Sequence, residues 1–218
     1  MEYMIDSANI EKIKELNDYF PIVGVTTNPS ILAKCNIDVV TAIKEIRKII
    51  GNKMLHVQVL STTYEEILEE AKKLNDLGGE NTYIKIPVSQ DGIKAMKYLT
   101  ARGYNVTATA IFTPQQALMA ATAGAKYVAP YINRLDNIAT NGPEIAYEIQ
   151  KLLKESNLDC KVLAASFSNL EQIHMTSMKG IGSLTIPIDL FTKIISHPLT
   201  DKAIKDFIKD GKKYYNFD

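Results

Sequence analysis

Cysteine and histidine are both scarce in this sequence, with two cysteines and three histidines in 218 residues. Cys35 and Cys160 stand far apart and form no CxxC pair, which leaves neither a disulfide framework nor a zinc knuckle. His56, His174 and His197 are scattered, without the close spacings that mark metal sites. Net charge is missing too. Lys+Arg and Asp+Glu both number 25, so the whole-molecule field points to neither nucleic acid nor an anionic membrane as partner. No apolar run is long enough to span a bilayer, and Met1-Glu2-Tyr3-Met4-Ile5-Asp6 lacks a basic region followed by an apolar one. The cytoplasm is therefore the expected location. The Gly-rich phosphate turn that would announce a doubly wound open sheet is absent as well.

What the sequence does have is alternation. Short β-branched or aromatic runs occur at Tyr3–Asp6, Ile22–Thr27, Leu55–Leu60, Tyr83–Val88, Val106–Phe112, Tyr127–Tyr131, Val162–Ser166 and Leu184–Ile188. Helical patterns lie between them at Ala8–Tyr19, Asp38–Ile50, Thr63–Leu77, Gly92–Arg102, Pro114–Ala123, Pro143–Lys154 and Asn169–Met178. Several open on cap signals, with Thr63 before Glu65-Glu66, Thr113 before Pro114, and Ser168 ahead of Glu171. Eight βα units predict a (β/α)8 barrel, and 46% hydrophobic residues suit one sizeable core. Residues 1–218 read as a single barrel domain in which 198–218 is a helical extension beyond the eight units. Its aromatic end, Tyr214-Tyr215-Asn216-Phe217, either caps its own domain or docks on a neighbouring subunit; the second is the expectation.

One residue breaks the apolar pattern. Lys85 sits inside Thr82-Tyr83-Ile84-Lys85-Ile86-Pro87-Val88, a run that reads as a buried strand. Desolvation disfavours an ammonium there and drives its pKa down. A lysine neutral near physiological pH is a nucleophile able to form a Schiff base with a carbonyl substrate. The plainer reading lays its stem along the strand with the head in water.

In a barrel the site forms at the carboxyl ends of the strands. Those ends carry Asp6, Thr26, Asn28, Gln58, Lys85, Thr107, Thr109, Tyr131 with Arg134 after it, and Ser166. Strand parity puts Thr107 and Thr109 on one face and Ala108 and Ala110 on the other. Each polar residue also has a structural reading. Asp6 could cap the first helix, Thr26, Thr27 and Asn28 the second, and Arg134 could pair with Asp136. The functional reading rests on their common placement at one mouth around one buried lysine.

Gly24-Val25-Thr26-Thr27-Asn28-Pro29-Ser30, Ile84-Lys85-Ile86-Pro87-Val88, Ala129-Pro130-Tyr131-Ile132-Asn133-Arg134 and Ala164-Ala165-Ser166-Phe167 resemble the small transaldolases and fructose-6-phosphate aldolases. The likeness runs from Ile5-Asp6 to Ile195-Ser196-His197-Pro198. It implies a class I aldolase that needs no metal and no cofactor, with Lys85 as the Schiff-base lysine. The scattered histidines independently disfavour a metal-dependent aldolase. By the same resemblance Asp6 and Asn28 hold hydroxyls of a dihydroxyacetone unit, with Thr26 and Thr107 beside the substrate. Gln58, Thr109 and Tyr131 surround the water or hydroxyl that relays protons. Arg134 and Ser166 receive a phosphate. Gln58, Ala129 and Tyr131 are similar to the aldolase pattern, where transaldolases typically carry glutamate, serine and phenylalanine. Ser168 departs from both, since either subfamily usually offers lysine or arginine there, leaving Arg134 as the one strong cation expected at that end.

The resulting expectation is reversible cleavage of fructose 6-phosphate to dihydroxyacetone and glyceraldehyde 3-phosphate. The alternative is a transaldolase of the pentose phosphate pathway, moving the same unit between sedoheptulose 7-phosphate and glyceraldehyde 3-phosphate. The non-enzyme alternative is a barrel that only binds sugar phosphate. Sugar phosphates and dihydroxyacetone are the expected small-molecule partners. The resemblance also implies a homo-oligomer, a pentamer or a decamer.

Overall fold

The computed structural model describes residues 1–215; Asn216 and Phe217 of the aromatic tail lie outside the described residues. Eight strands, β1 (Glu2–Asp6), β2 (Ile22–Thr26), β3 (Met54–Gln58), β4 (Thr82–Pro87), β5 (Asn105–Ile111), β6 (Tyr127–Pro130), β7 (Lys161–Ala164) and β8 (Ser183–Pro187), close in chain order into a parallel barrel. Every predicted strand is present, its ends shifted by one or two residues. The helices are α1 (Ile10–Tyr19), α2 (Pro29–Lys34), α3 (Val39–Ile50), α4 (Tyr64–Gly78), α5 (Gln90–Thr100), α6 (Pro114–Thr122), α7 (Ile132–Asp136), α8 (Gly142–Glu155), α9 (Leu170–Met178), α10 (Ile188–Phe191) and α11 (Pro198–Gly211). The short α2, α7 and α10 are absent from the sequence reading. No described helix is long and apolar enough to cross a membrane.

Strand alternation sorts the core into two layers. Ile5, Val25, Val57, Ile84, Ile86, Val106, Val128, Leu184 and Ile186 face outward and pack under the helices. Inside the barrel, Met4, Tyr127 and Leu163 fill the lower bore, with Val23, Met54 and Tyr83 against them. Gly24 allows this closure: a Cβ there would stand 2.5 Å from the backbone oxygen of Met54. At the floor the Glu2 carboxylate accepts from Lys161 Nζ at 2.6 Å, Ser183 Oγ at 2.5 Å and Tyr127 Oη at 3.0 Å. The amino ends of β1, β6, β7 and β8 are thereby stapled, and the opposite end remains open for chemistry.

Capping follows the sequence in part. Thr113 and Gln116 form the full capping box of α6. Asn169, one residue later than Ser168, caps α9 through the backbone N–H of Gln172 at 2.9 Å. Thr63 precedes α4, but its hydroxyl donates to Glu66 at 2.8 Å and caps no backbone group.

Candidate active site

The carboxyl ends of the strands surround a cavity of about 450 Å³. Asp6, Asn28, Gln58, Lys85, Tyr131, Arg134 and Ser166 all line it, joined by Ser30, Lys34, Ala110 and Ala165. Seven of the predicted site residues thus meet at one mouth. Thr26, Thr107 and Thr109 are fully buried behind them and are not among the lining residues.

Lys85 comes from the middle of β4, opposite Gln58 on β3 and Thr107 on β5. It is 5% exposed, and its ammonium donates to the backbone oxygen of Thr27 at 2.8 Å. Burial pulls its pKa below that of an ordinary lysine, and the negative charge of Asp6 partly restores it. Asp6 shows the reciprocal effect. Loss of solvation raises its carboxyl, while Lys85 and the Thr26 hydroxyl pull the other way. Asp6 does not cap α1; Asn9 does, accepting from Lys12 N at 3.0 Å. Its own partner is Thr26 Oγ1 at 2.6 Å, and that hydroxyl also lies 2.6 Å from Thr185 Oγ1. A hydroxyl chain across β1, β2 and β8 therefore fixes the carboxylate.

Asn28 serves two ends at once. Its Oδ1 caps α2 by accepting from Ile31 N at 2.9 Å, and its side chain also lies on the cavity wall. Pro29 at the first helical position suits this start. The helix it opens ends on Lys34, a cavity-lining cation with no hydrogen bond or ion pair among the described residues. Sequence reasoning missed it. The available signal was the Asn28-Pro29 cap, which implies a helix turn whose later residues return toward the mouth.

Strand β5 carries a second unforeseen feature. Its pairing with β6 shifts register between Ala108 and Ile111, and Ala110 has φ +57°. The bulge sends Ile111 into the outer core and turns Ala110 to the cavity, against simple parity. Ser166, across the mouth, is also left-handed at φ +63°. Such strain in residues other than glycine costs free energy and gathers at functional sites. Between them, Thr109 Oγ1 and Tyr131 Oη lie 2.9 Å apart, and Phe112 meets the Tyr131 ring edge-on at 5.6 Å.

Arg134 stands 4.8 Å from the centre of the Tyr131 ring. It forms no ion pair with Asp136, which instead accepts from Gly142 N at 2.7 Å and Gln172 Nε2 at 2.7 Å. Gln172 also receives Ser168 N at 2.8 Å, and Ser168 Oγ donates to Asn133 at 2.8 Å. This network anchors α7 to the start of α9 and leaves the guanidinium, which lies over the Tyr131 ring, with no hydrogen bond or ion pair among the described residues. The mouth thus offers a desolvated amine, a carboxyl group held beside it, a phenol backed by a buried hydroxyl, and two cations without an ion pair among the described residues.

The family described as Transaldolase/Fructose-6-phosphate aldolase matches residues 3–216. The chain belongs to the transaldolase/fructose-6-phosphate aldolase family. Among its relatives, a "Probable transaldolase" of Clostridioides difficile (strain 630) is 40% identical over 210 residues, covering 96% of each chain. A "Probable fructose-6-phosphate aldolase" of Streptococcus pneumoniae is 37% identical over 212 residues, again 96% of each chain. The solved dihydrodipicolinate synthase of Rhodopseudomonas palustris aligns with a TM-score of 0.60 at 14% identity, covering 84% of this chain and 69% of that one. At that identity the likeness speaks for the barrel fold alone. The protein is thus an enzyme of the transaldolase/fructose-6-phosphate aldolase family, and its relatives carry both names.

Proposed function

We propose that this enzyme reversibly cleaves fructose 6-phosphate to dihydroxyacetone and glyceraldehyde 3-phosphate through a Schiff base on Lys85. The observation that carries the choice is the Tyr131 phenol, which lines the cavity with Gln58 and Lys85 and is backed by the buried Thr109 hydroxyl 2.9 Å away. A phenol can donate and accept a proton, whereas a phenylalanine at that position could do neither.

The neutral Lys85 amine attacks C2 of the open-chain ketose, and loss of water gives an iminium. Removal of the C4 hydroxyl proton breaks the C3–C4 bond, whose electron pair passes into the iminium as an enamine. Glyceraldehyde 3-phosphate leaves, its phosphate held by Arg134 and Ser166. The enamine takes a proton at C3, water adds to C2, and dihydroxyacetone departs as Lys85 is regenerated. Asp6 and Asn28 hold the hydroxyls of the three-carbon unit, while Tyr131, Thr109 and Gln58 hold the water and relay its protons. Thr26 acts through Asp6, and Thr107 lies one layer deeper. Lys34 supplies a second cation at the mouth.

The remaining expectations form part of the same proposal. Residues 1–218 work as one barrel unit with 198–218 as its extension, in the cytoplasm, within a pentamer or decamer of this chain. The oligomer reading is supported by α11, which has no buried residue and exposes Leu199, Ile204, Phe207 and Ile208.

The test is a paired assay on fructose 6-phosphate, comparing release of free dihydroxyacetone with transfer to erythrose 4-phosphate. Release should dominate in the wild type. Tyr131→Phe should cut release by roughly 10²–10⁴-fold, the range for general acid–base participation, while transfer falls less. Borohydride should still trap dihydroxyacetone on Lys85 in that variant, and Lys85→Met should abolish both trapping and turnover. Transfer dominating in the wild type, with Tyr131→Phe leaving the ratio alone, would reassign the enzyme as a transaldolase.

A further inference from the structure

One layer beneath the cavity lies a group that none of these steps uses. His56 precedes Gln58 by two residues on β3, so both side chains project into the bore from one face of the strand. Its side chain is fully buried, stacked on Tyr83 at 4.5 Å and meeting Tyr127 edge-on at 5.3 Å. Burial, together with the positive charges of Lys85 and Arg47, holds its pKa well below that of an ordinary histidine. The ring is therefore neutral near pH 7 and carries a single N–H.

Thr107 decides which nitrogen carries it. The Thr107 hydroxyl lies 2.9 Å from His56 Nδ1, its one hydrogen-bond partner among the described residues. Donation from that hydroxyl to Nδ1 satisfies both groups and places the ring proton on Nε2. Among the described residues Nε2 is buried without a partner, and so is the side-chain oxygen of Gln58. One is then a donor and the other an acceptor, both desolvated, at successive inward positions of the same strand. Leaving either unmade carries the full desolvation penalty. A single water accepting from Nε2–H and donating to Gln58 Oε1 removes both penalties, since buried water settles where polar groups lack partners.

We propose that His56 is a positioning residue which, through one buried water, pins the Gln58 oxygen into the bore and turns its amide nitrogen toward the substrate cavity. Thr107 fixes the tautomer, His56 fixes Gln58, and Gln58 presents N–H donors to the water that releases dihydroxyacetone. Without His56 the amide is free to flip and present an acceptor instead. This inference rests on the aldolase reading of the site.

Three substitutions separate orientation from packing. His56→Gln sets an amide near the place of Nε2, His56→Asn keeps one near Nδ1 alone, and His56→Phe keeps only the ring volume. Release of dihydroxyacetone from fructose 6-phosphate should stay near wild type in His56→Gln. It should fall about five- to tenfold in His56→Asn and His56→Phe, as for loss of one buried hydrogen bond. Borohydride trapping on Lys85 should be unchanged in all three. On a Gln58→Leu background, His56→Phe should cost nothing further. A high-resolution crystal structure should show the bridging water. Uniform release across the three variants, loss of trapping together with release, or no water between the two atoms would each overturn the assignment. Wild-type release tests the aldolase reading separately, and the pattern among variants tests His56.

Discussion

Lys85 and Asp6 form the part of the site where residue chemistry was most legible in the sequence. A lysine inside an apolar strand can be seen without a structure, because burial of an ammonium is costly whatever surrounds it. What sequence could not supply is how Asp6 is held, since Thr26 and Thr185 come from strands far apart in the chain. The pair makes a pH prediction with a definite sign. Burial lowers the pKa of Lys85 and Asp6 opposes that shift. Asp6→Asn removes the opposing charge, so Lys85 should lose its proton at lower pH than in the wild type. The pH midpoint of borohydride trapping with dihydroxyacetone should move down, even as turnover falls for want of the carboxylate. A midpoint that stays put or rises would mean that Asp6 does not act on the amine electrostatically. The same lowered pKa makes the unfolded chain bind more protons between Lys85's folded value and that of a free lysine, so this group's contribution to stability rises with pH across that window.

At the scale of elements, the long periodic helices and all eight strands could be read, and the short helices could not. Helices α2, α7 and α10 span too few residues to establish a 3.6-residue period, and their caps alone do not fix where they stop. Two of them matter to the site, because α2 ends on Lys34 and α7 carries Arg134. Nearness in sequence suggested that Asp136 pairs with Arg134. The carboxylate instead serves Gly142 and Gln172 and so anchors the helix. The β5 bulge was also hidden, since Ala110 carries no side-chain signal for a left-handed backbone. The anchoring predicts a graded outcome. Arg134→Ala should lower kcat/KM for glyceraldehyde 3-phosphate by about 1.5–3 kcal/mol, the range for charge-assisted hydrogen bonds, and affect unphosphorylated glyceraldehyde far less. Gln172→Leu, which leaves Arg134 in place but unties α7, should reproduce part of that selective loss. Equal losses on both aldehydes in either variant would show that α7 supports the barrel without recognising phosphate.

For the whole molecule, barrel closure followed from βα alternation, but α11 does not serve the barrel in any way the core reveals. Ile204, Phe207, Ile208 and Gly211 recur at helical spacing, and the first three are 50–72% exposed. Contiguous exposed apolar surface marks an interaction site. A second copy of this chain is the simplest partner. A terminal helix lying on a neighbour's different surface makes a head-to-tail contact, which closes into a ring when the rotation permits. A pair of rings joined back to back would account for a decamer as well as a pentamer. Replacing Phe207 and Ile208 together by aspartate sets two charges into any such contact while leaving the helix solvated in the free chain. Light scattering should give a ring-sized mass for the wild type and a smaller species for the double variant. Trapping on Lys85 should persist in the smaller species, because none of the lining residues of this chain, Lys85 included, lies on α11. An unchanged mass would place the interface elsewhere, and a monomeric wild type would leave α11 needing a partner other than itself.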